Sequence, residues 1–190
     1  MDSIKDLKCK IEEYKPYNEQ EEQDKRVMLK YIDSFDNVLT RDNEFGHFTA
    51  SSWVVNKERT KVLMIYHNIY KSWAWTGGHA DGESDLLSVA IREVKEETGV
   101  ENIKVIDDNI FSLEVVCVHG HVKRGKYVSS HVHLNVTYLL EADERDLLKI
   151  KEDENSGVKW VNIEDVKNVS NEEWLIENVY NKFNEKLRKL

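Results

Sequence analysis

The chain has 190 residues, with 27 lysines and arginines against 36 aspartates and glutamates, so its formal net charge is −9. A chain of this length usually forms one domain, here with an extension. The acidic balance argues against a broad nucleic-acid surface, which needs clustered basic side chains. No stretch approaches the roughly 18 apolar residues of a membrane helix, so we expect no membrane partner. No signal peptide is apparent, and the two cysteines form no disulfide framework, which favours a cytoplasmic location.

The first elements in chain order are helical. Residues 4–14 predict a short helix, and apolar residues at helical spacing predict a longer one over residues 18–35. We interpret residues 1–45 as an N-terminal helical extension that caps the main domain, residues 46–190. The alternative is that the extension is a dimerisation arm.

Strand-like patterns begin near residue 46. A polar turn at residues 56–60 separates two strand-like runs, which predicts a hairpin. The glycines Gly77 and Gly78 interrupt the pattern, and helical periodicity then extends over residues 84–98, with Ser84 as the expected N-cap. Strands are predicted at residues 49–55, 62–66, 110–118, 131–140 and 158–161, a loop at 119–130, and a helix over the last 20 residues. This irregular mixture predicts an α+β or mixed α/β fold.

The helix predicted over residues 84–98 carries three carboxylates on one arc. At about 100° per residue, Glu93, Glu96 and Glu97 fall together, beside an apolar face that would pack on a sheet. Like charges at this spacing repel each other. A hard divalent cation would relieve the repulsion, because Mg²⁺ takes oxygen ligands and bridges to substrate phosphates. A solvated acidic face is the plainer alternative.

The segment around these carboxylates resembles the Nudix box. The family pattern is a glycine, five residues, a glutamate, seven residues, and then Arg-Glu-apolar-x-Glu-Glu-x-Gly-apolar. The matching positions are Gly78, Arg92, Glu93, Val94, Glu96, Glu97, Gly99 and Val100. The sequence departs from the pattern where Ser84 stands in place of the first glutamate, with Glu83 one residue earlier. We interpret this GGHADGES loop as a family variant, and whether Glu83 takes the role of that glutamate is left open.

The resemblance implies a Nudix-type α/β/α sandwich with a mixed β-sheet and, here, the N-terminal helical extension. It also implies hydrolysis of a pyrophosphate bond in a substrate linked to a nucleoside diphosphate, with Mg²⁺ or Mn²⁺ and an activated water. By position, Glu93, Glu96 and Glu97 would bind the metal, together with the main-chain carbonyl of Gly78. Arg92 would pair with a box carboxylate, so Arg92, Glu93 and Glu97 are the catalytic candidates.

The resemblance does not identify the general base. Glu93 is one candidate. In several Nudix enzymes a glutamate on a loop outside the box serves instead, and Glu152 and Glu154 are the distal candidates here. A solvated acidic loop is the plainer interpretation of these two residues.

Candidates for substrate binding lie outside the carboxylate arc. They are His79, Glu83, Lys123, Arg124, His131 and His133. His79 follows the glycine pair and could approach a phosphate. His131 and His133 are two apart on a predicted strand and so share a face, although a zinc site there would need further ligands. Lys123 and Arg124 belong to a basic stretch that could attract an anionic substrate.

The expected partner is a small nucleotide-type molecule, and a homodimer is a further expectation from the resemblance. One alternative is a catalytically silent Nudix-fold module that binds or senses a nucleotide. A second is an isomerase of the same fold, acting on an isoprenoid diphosphate, which would need a catalytic cysteine. Cys117 is the candidate, but its apolar run is more simply read as that of a buried small residue. A third is a non-enzymatic interaction protein that works through its N-terminal helix.

Overall fold

Two capped helices open the chain in a computed structural model that describes residues 3–123 and 125–190. Helix α1, Ile4–Glu13, begins with a capping box in which the Ser3 amide donates to Asp6 Oδ2 at 2.7 Å and the Asp6 amide donates to Ser3 Oγ. Helix α2, Glu19–Ser34, begins behind an Asn18 N-cap. Such caps satisfy amides that have no partner within the helix. Both predicted helices are confirmed.

A mixed sheet forms the centre of the molecule. In chain order the strands are β1 Gly46–Val55, β2 Lys61–His67, β3 Ser72–Ala74, β4 Thr76–His79, β5 Ile103–Val105, β6 Ser112–Val118, β7 His121–Lys123, β8 Lys126–Val128, β9 His131–Ala142 and β10 Asn155–Asn162. The main order is β10-β2-β1-β9-β5, with β3 beside β2, β4 beside β1 and β6 beside β9, while β7 and β8 form a separate hairpin. Strands β1 and β9 are parallel, and the other pairs are antiparallel. The predicted mixed sheet is confirmed.

Further helices cover the sheet. Helix α3, Leu86–Thr98, lies between β4 and β5. After β10 follow a 3₁₀ turn Ile163–Asp165, α4 Val166–Val169, α5 Glu173–Leu175, a π-helical turn Ile176–Tyr180 and α6 Asn181–Leu187. The helix predicted over the last 20 residues is therefore present as successive pieces. Within the described residues, no helix has the length and apolar character needed to cross a membrane.

The sheet separates two apolar cores. Even-numbered residues of β1 and β9, such as Phe48 and Leu134, face one core together with α1, α2 and α3. Odd-numbered residues of the same strands, such as Trp53 and Leu139, face a second core together with α4, α5 and α6. This division follows from the alternation of side chains along a strand. The α/β/α sandwich that the Nudix resemblance implies is confirmed.

Three local predictions are wrong. Asp85, not Ser84, caps α3, because its side chain accepts from the Ser88 amide three residues on. Residues 119–130 hold the β7–β8 hairpin where a loop was predicted, and the positive φ of 77° at Gly125 permits the tight reversal. Cys117 is exposed, since it alternates with the buried Val118 on β6.

Candidate active site

Strand β4 brings its glycine pair, Gly77 and Gly78, against two carboxylates of α3. A Cβ placed on Gly78 would lie 2.5 Å from Oε1 and 2.7 Å from Oε2 of Glu93, so this carboxylate rests directly on the glycine backbone. The Gly77 amide donates to Glu97 Oε2 at 2.9 Å. The structure therefore brings Gly78, Glu93 and Glu97 together, and a residue larger than glycine at position 78 would displace Glu93.

The loop before β10 contacts the same helix. Lys151 Nζ lies 2.8 Å from Glu96 Oε2 and 3.0 Å from Glu154 Oε2. Asn155 Nδ2 donates to the main-chain oxygen of Glu97 at 2.9 Å and so anchors the loop to α3. Lys151 thus links Glu96 of the box to Glu154 of the distal loop.

Burial and mutual repulsion set the protonation of these groups. Burial raises the pKa of Glu97 well above its ordinary value, the hydrogen bond from Gly77 opposes this, and the charges of Glu93 and Glu154 add to it. Burial likewise raises the pKa of Glu93. Burial would lower the pKa of Lys151, but its hydrogen bonds to carboxylates outweigh that effect and raise it. Burial, together with the charges of neighbouring carboxylates, therefore disfavours the ionised forms of Glu93 and Glu97.

Other predicted residues lie at the edges of this cluster. Arg92 Nη2 is 3.9 Å from Glu93 Oε1, the outer limit of an ion pair. Glu83 is exposed and its Oε1 accepts from the Asp85 amide at 3.1 Å, so it supports the start of α3. Glu152 is exposed as well. Of the two distal candidates for the base, Glu154 is the one that the structure brings towards the box.

Four histidines gather beside the glycine pair of β4. The ring centroid of His47 lies 5.1 Å from those of His79 and His131 and 5.2 Å from that of His133. His131 Nε2 and His133 Nε2 are 3.2 Å apart. The pairing of His131 with His133 follows from their spacing, but His47 joins them because it lies opposite His133 in the parallel β1–β9 register. No local pattern in the sequence singles out His47.

A bidentate ion pair at the rim is another feature that sequence reasoning missed. Arg41 Nε donates to Asp81 Oδ1 at 2.7 Å, and its Nη2 donates to Oδ2. The guanidinium lowers the pKa of Asp81. The charges of Glu154 and Glu93 also act on Arg41, whose side chain is half exposed at the edge of the carboxylates. The predicted Arg124 and the side chain of Lys123 lie outside the described residues.

The carboxylate cluster fits a hard divalent cation. Four glutamates, from α3 and the distal loop, supply the oxygen ligands that such ions prefer. Burial raises the pKa of Glu93 and Glu97, and the charges of neighbouring carboxylates add to it, so a bound divalent ion would favour their ionised forms. Glu96 accepts from Lys151 and Glu97 accepts from the Gly77 amide, so neighbouring groups hold both side chains in place.

The profile of the NUDIX domain matches residues 46–183. The chain belongs to the Nudix family. It is 29% identical over 117 residues to an RNA pyrophosphohydrolase of Pelagibacter ubique (strain HTCC1062), across 60% of this chain and 74% of the relative. A NUDIX-family hydrolase from Clostridium perfringens has a similar structure, with a TM-score of 0.53 and 25% identity across 75% of this chain and 97% of that one. A Nudix hydrolase from M. smegmatis shares the fold, with a TM-score of 0.54 and 15% identity across 77% and 89% of the two chains.

Family membership indicates the general chemistry of the protein. Residues 78–100 are the Nudix box, and the protein is a Nudix hydrolase that acts on pyrophosphate bonds. Nudix proteins generally use divalent metals. A bound metal ion neutralises phosphate charge and lowers the pKa of its water. The helices α1 and α2 precede the matched range.

Proposed function

We propose that this Nudix hydrolase cleaves the pyrophosphate bond of a nucleoside diphosphate that is linked to another group, with Mg²⁺ or Mn²⁺ bound beside α3. The observation that carries the proposal is the contact of the Glu93 carboxylate with the Gly78 backbone. That contact places a box carboxylate against the backbone of Gly78, and the Gly77 amide holds Glu97 beside the same strand.

In this proposal the residues of the box bind the metal or position its ligands. Glu93, Glu96 and Glu97 hold the metal together with the Gly78 carbonyl, and the ion supplies charge neutralisation and an acidified water. Arg92 lies beside Glu93 and keeps its carboxylate in place.

Glu154 is the general base in this proposal. It faces the box from the distal loop, where Lys151 fixes it at 3.0 Å, whereas Glu152 is exposed. A base must lie within hydrogen-bond reach of the proton it removes, directly or through one water. The closure of the distal loop on α3 through Asn155 keeps Glu154 on that side of the helix.

The substrate is a small anion in this proposal. The net charge of −9 disfavours a long polyanion, while a compact diphosphate can be held through the metal. Arg41 at the rim offers a guanidinium that a phosphate could take over from Asp81. His79, His131, His133, Glu83, Lys123 and Arg124 stay predicted substrate contacts.

The proposal also includes a cytoplasmic location. Cys9 and Cys117 are both exposed and unpaired, as is usual for thiols in a reducing compartment. A homodimer stays a prediction from the family, and sedimentation velocity would check it.

The test is a turnover assay on a panel of nucleoside diphosphate derivatives with Mg²⁺ or Mn²⁺. Glu97→Gln removes one ligand charge and keeps an oxygen for the Gly77 amide, so turnover should fall by about two to three orders of magnitude. Glu101→Gln is the matched control, because Glu101 is exposed and pairs only weakly with Lys95 at 3.7 Å. Glu154→Gln should lower kcat with little change in KM.

The outcomes separate enzyme from sensor. Metal-dependent cleavage that is lost in Glu97→Gln and kept in Glu101→Gln supports the hydrolase and names its substrate class. Nucleotide binding by calorimetry without turnover across the panel would instead assign the protein to the catalytically silent Nudix modules. Full activity of Glu154→Gln would exclude Glu154 as the general base and favour Glu93.

A further inference from the structure

The histidine cluster has the geometry of a metal site in its own right. His47, His79 and His133 each offer one ring nitrogen, and these nitrogens all lie within 4.8 Å of one another. The cluster contains no carboxylate or thiolate. Imidazole ligands suit zinc and related transition ions, whereas Mg²⁺ prefers oxygen.

His47 supplies an independent sign of a missing ligand. The side chain is only 4% exposed, and its Nε2 has no hydrogen-bond partner among residues 3–123 and 125–190. Leaving a buried polar atom unpaired costs about 1–3 kcal/mol. Its Nδ1 lies 3.2 Å from the main-chain oxygen of Asn43, which assigns the proton to Nδ1 and leaves a lone pair on Nε2. Metal-binding histidines are held by such a second hydrogen bond.

The strand pairing brings the three rings to one face of the sheet. His47 pairs with His133 across β1 and β9, and Thr49, two residues on, pairs with His79 across β1 and β4. Residues two apart on a strand share a face. Gly78 faces Glu93 on α3, so the adjacent His79 points to the opposite face of β4. The histidines are therefore separated from the box carboxylates by the strand itself.

We infer that His47, His79 and His133 form a second metal site, which binds a zinc-class transition ion on the face of β4 opposite the Nudix box. His131 positions His133: its Nδ1 lies 2.8 Å from the Ser129 main-chain oxygen and its Nε2 lies 3.2 Å from His133 Nε2. Three protein ligands leave one tetrahedral position open to water or to a substrate oxygen.

The test measures metal binding and does not depend on the proposed hydrolase activity. The full-length protein is stripped with a chelator and titrated with Co²⁺, whose visible absorption reports tetrahedral nitrogen ligation, and Zn²⁺ is then added as competitor. We expect one Co²⁺ per chain, displaced by Zn²⁺ and not by excess Mg²⁺. Binding should weaken from pH 7.5 to pH 5.5, because a protonated imidazole cannot bind a metal.

Variants decide which residues hold the ion. His133→Gln, at a half-buried position, should weaken Co²⁺ affinity by at least about 100-fold, since losing even a residue that only orients a metal ligand costs 10- to 100-fold. His47→Gln should do the same, with circular dichroism to verify its fold. His119→Gln is the control, because His119 is exposed and outside the cluster. Absence of Co²⁺ binding, or binding that survives His133→Gln and is lost in Glu97→Gln, would overturn the inference.

Discussion

At the scale of single residues, Gly78 matters because the Glu93 carboxylate rests on its backbone. In Gly78→Ala the new Cβ would stand 2.5 Å from Glu93 Oε1, and the flexible end of that side chain would have to move. We expect kcat to fall by roughly 100-fold, in the range found when one catalytic group is lost, with little change in the urea midpoint. Gly82→Ala should instead lower the urea midpoint and leave kcat nearly unchanged. Its φ of 92° is strained for alanine, although the new Cβ would meet open space. Equal effects of the two variants on activity would contradict this account.

Glu97 carries a stability cost that pH can reveal. Its pKa is raised from 4.5 by burial, so above pH 4.5 the unfolded chain has released a proton that the folded state still holds. Stability therefore declines as pH rises through this range. Glu97→Gln removes the effect and should be more stable than the wild type at pH 7.5, with no difference below pH 4. Urea unfolding with a chelator present would measure this, and a gap of the same size at both pH values would contradict it.

At the scale of elements, α2 is joined to the domain by a buried face. Met28 is 0% exposed in the core that α3 also lines, whereas its neighbour Val27 is 40% exposed. Met28→Ala should lower the free energy of unfolding by about 2–5 kcal/mol, because it leaves a cavity, and Val27→Ala should change it by less than about 0.5 kcal/mol. We propose on this basis that residues 1–45 and the Nudix domain unfold as one unit. Two separate urea transitions would contradict that.

The elements also show how far local sequence carries a prediction. The arc of Glu93, Glu96 and Glu97 could be predicted because these residues lie within about one turn of α3, whereas its assignment to a Nudix box rested on the resemblance of the whole motif. His47 could not, because its neighbours come from β4 and β9 and only the strand register brings them together. The choice of Glu154 over Glu152 likewise depends on how the distal loop closes on α3. Contacts within a helix can be predicted from the sequence, and those between distant strands cannot.

At the scale of the whole molecule, a buried charge network ties the two ends of the chain together. Lys182 on α6 lies 3.2 Å from Glu21 on α2 and 3.1 Å from Glu114 on β6. Removing one partner of a buried pair leaves an uncompensated charge and typically costs about 3–5 kcal/mol. The loss of unfolding free energy in Lys182→Met should fall at the lower end of this range, because Lys186 still pairs with Glu21. Lys189→Met, at an exposed lysine, is the control for urea unfolding, and equal losses in both would contradict the role of the network.

The parallel pairing of β1 with β9 has a consequence for the order in which the molecule forms. Thr49 and Asn135 share a hydrogen bond across 86 positions of the chain, and closing so long a loop costs entropy before any contact repays it. Strand β1 can pair early with β2 and β4, which follow it closely. During synthesis it therefore presents an open edge until β9 has left the ribosome, and the histidine cluster is completed only when that edge closes.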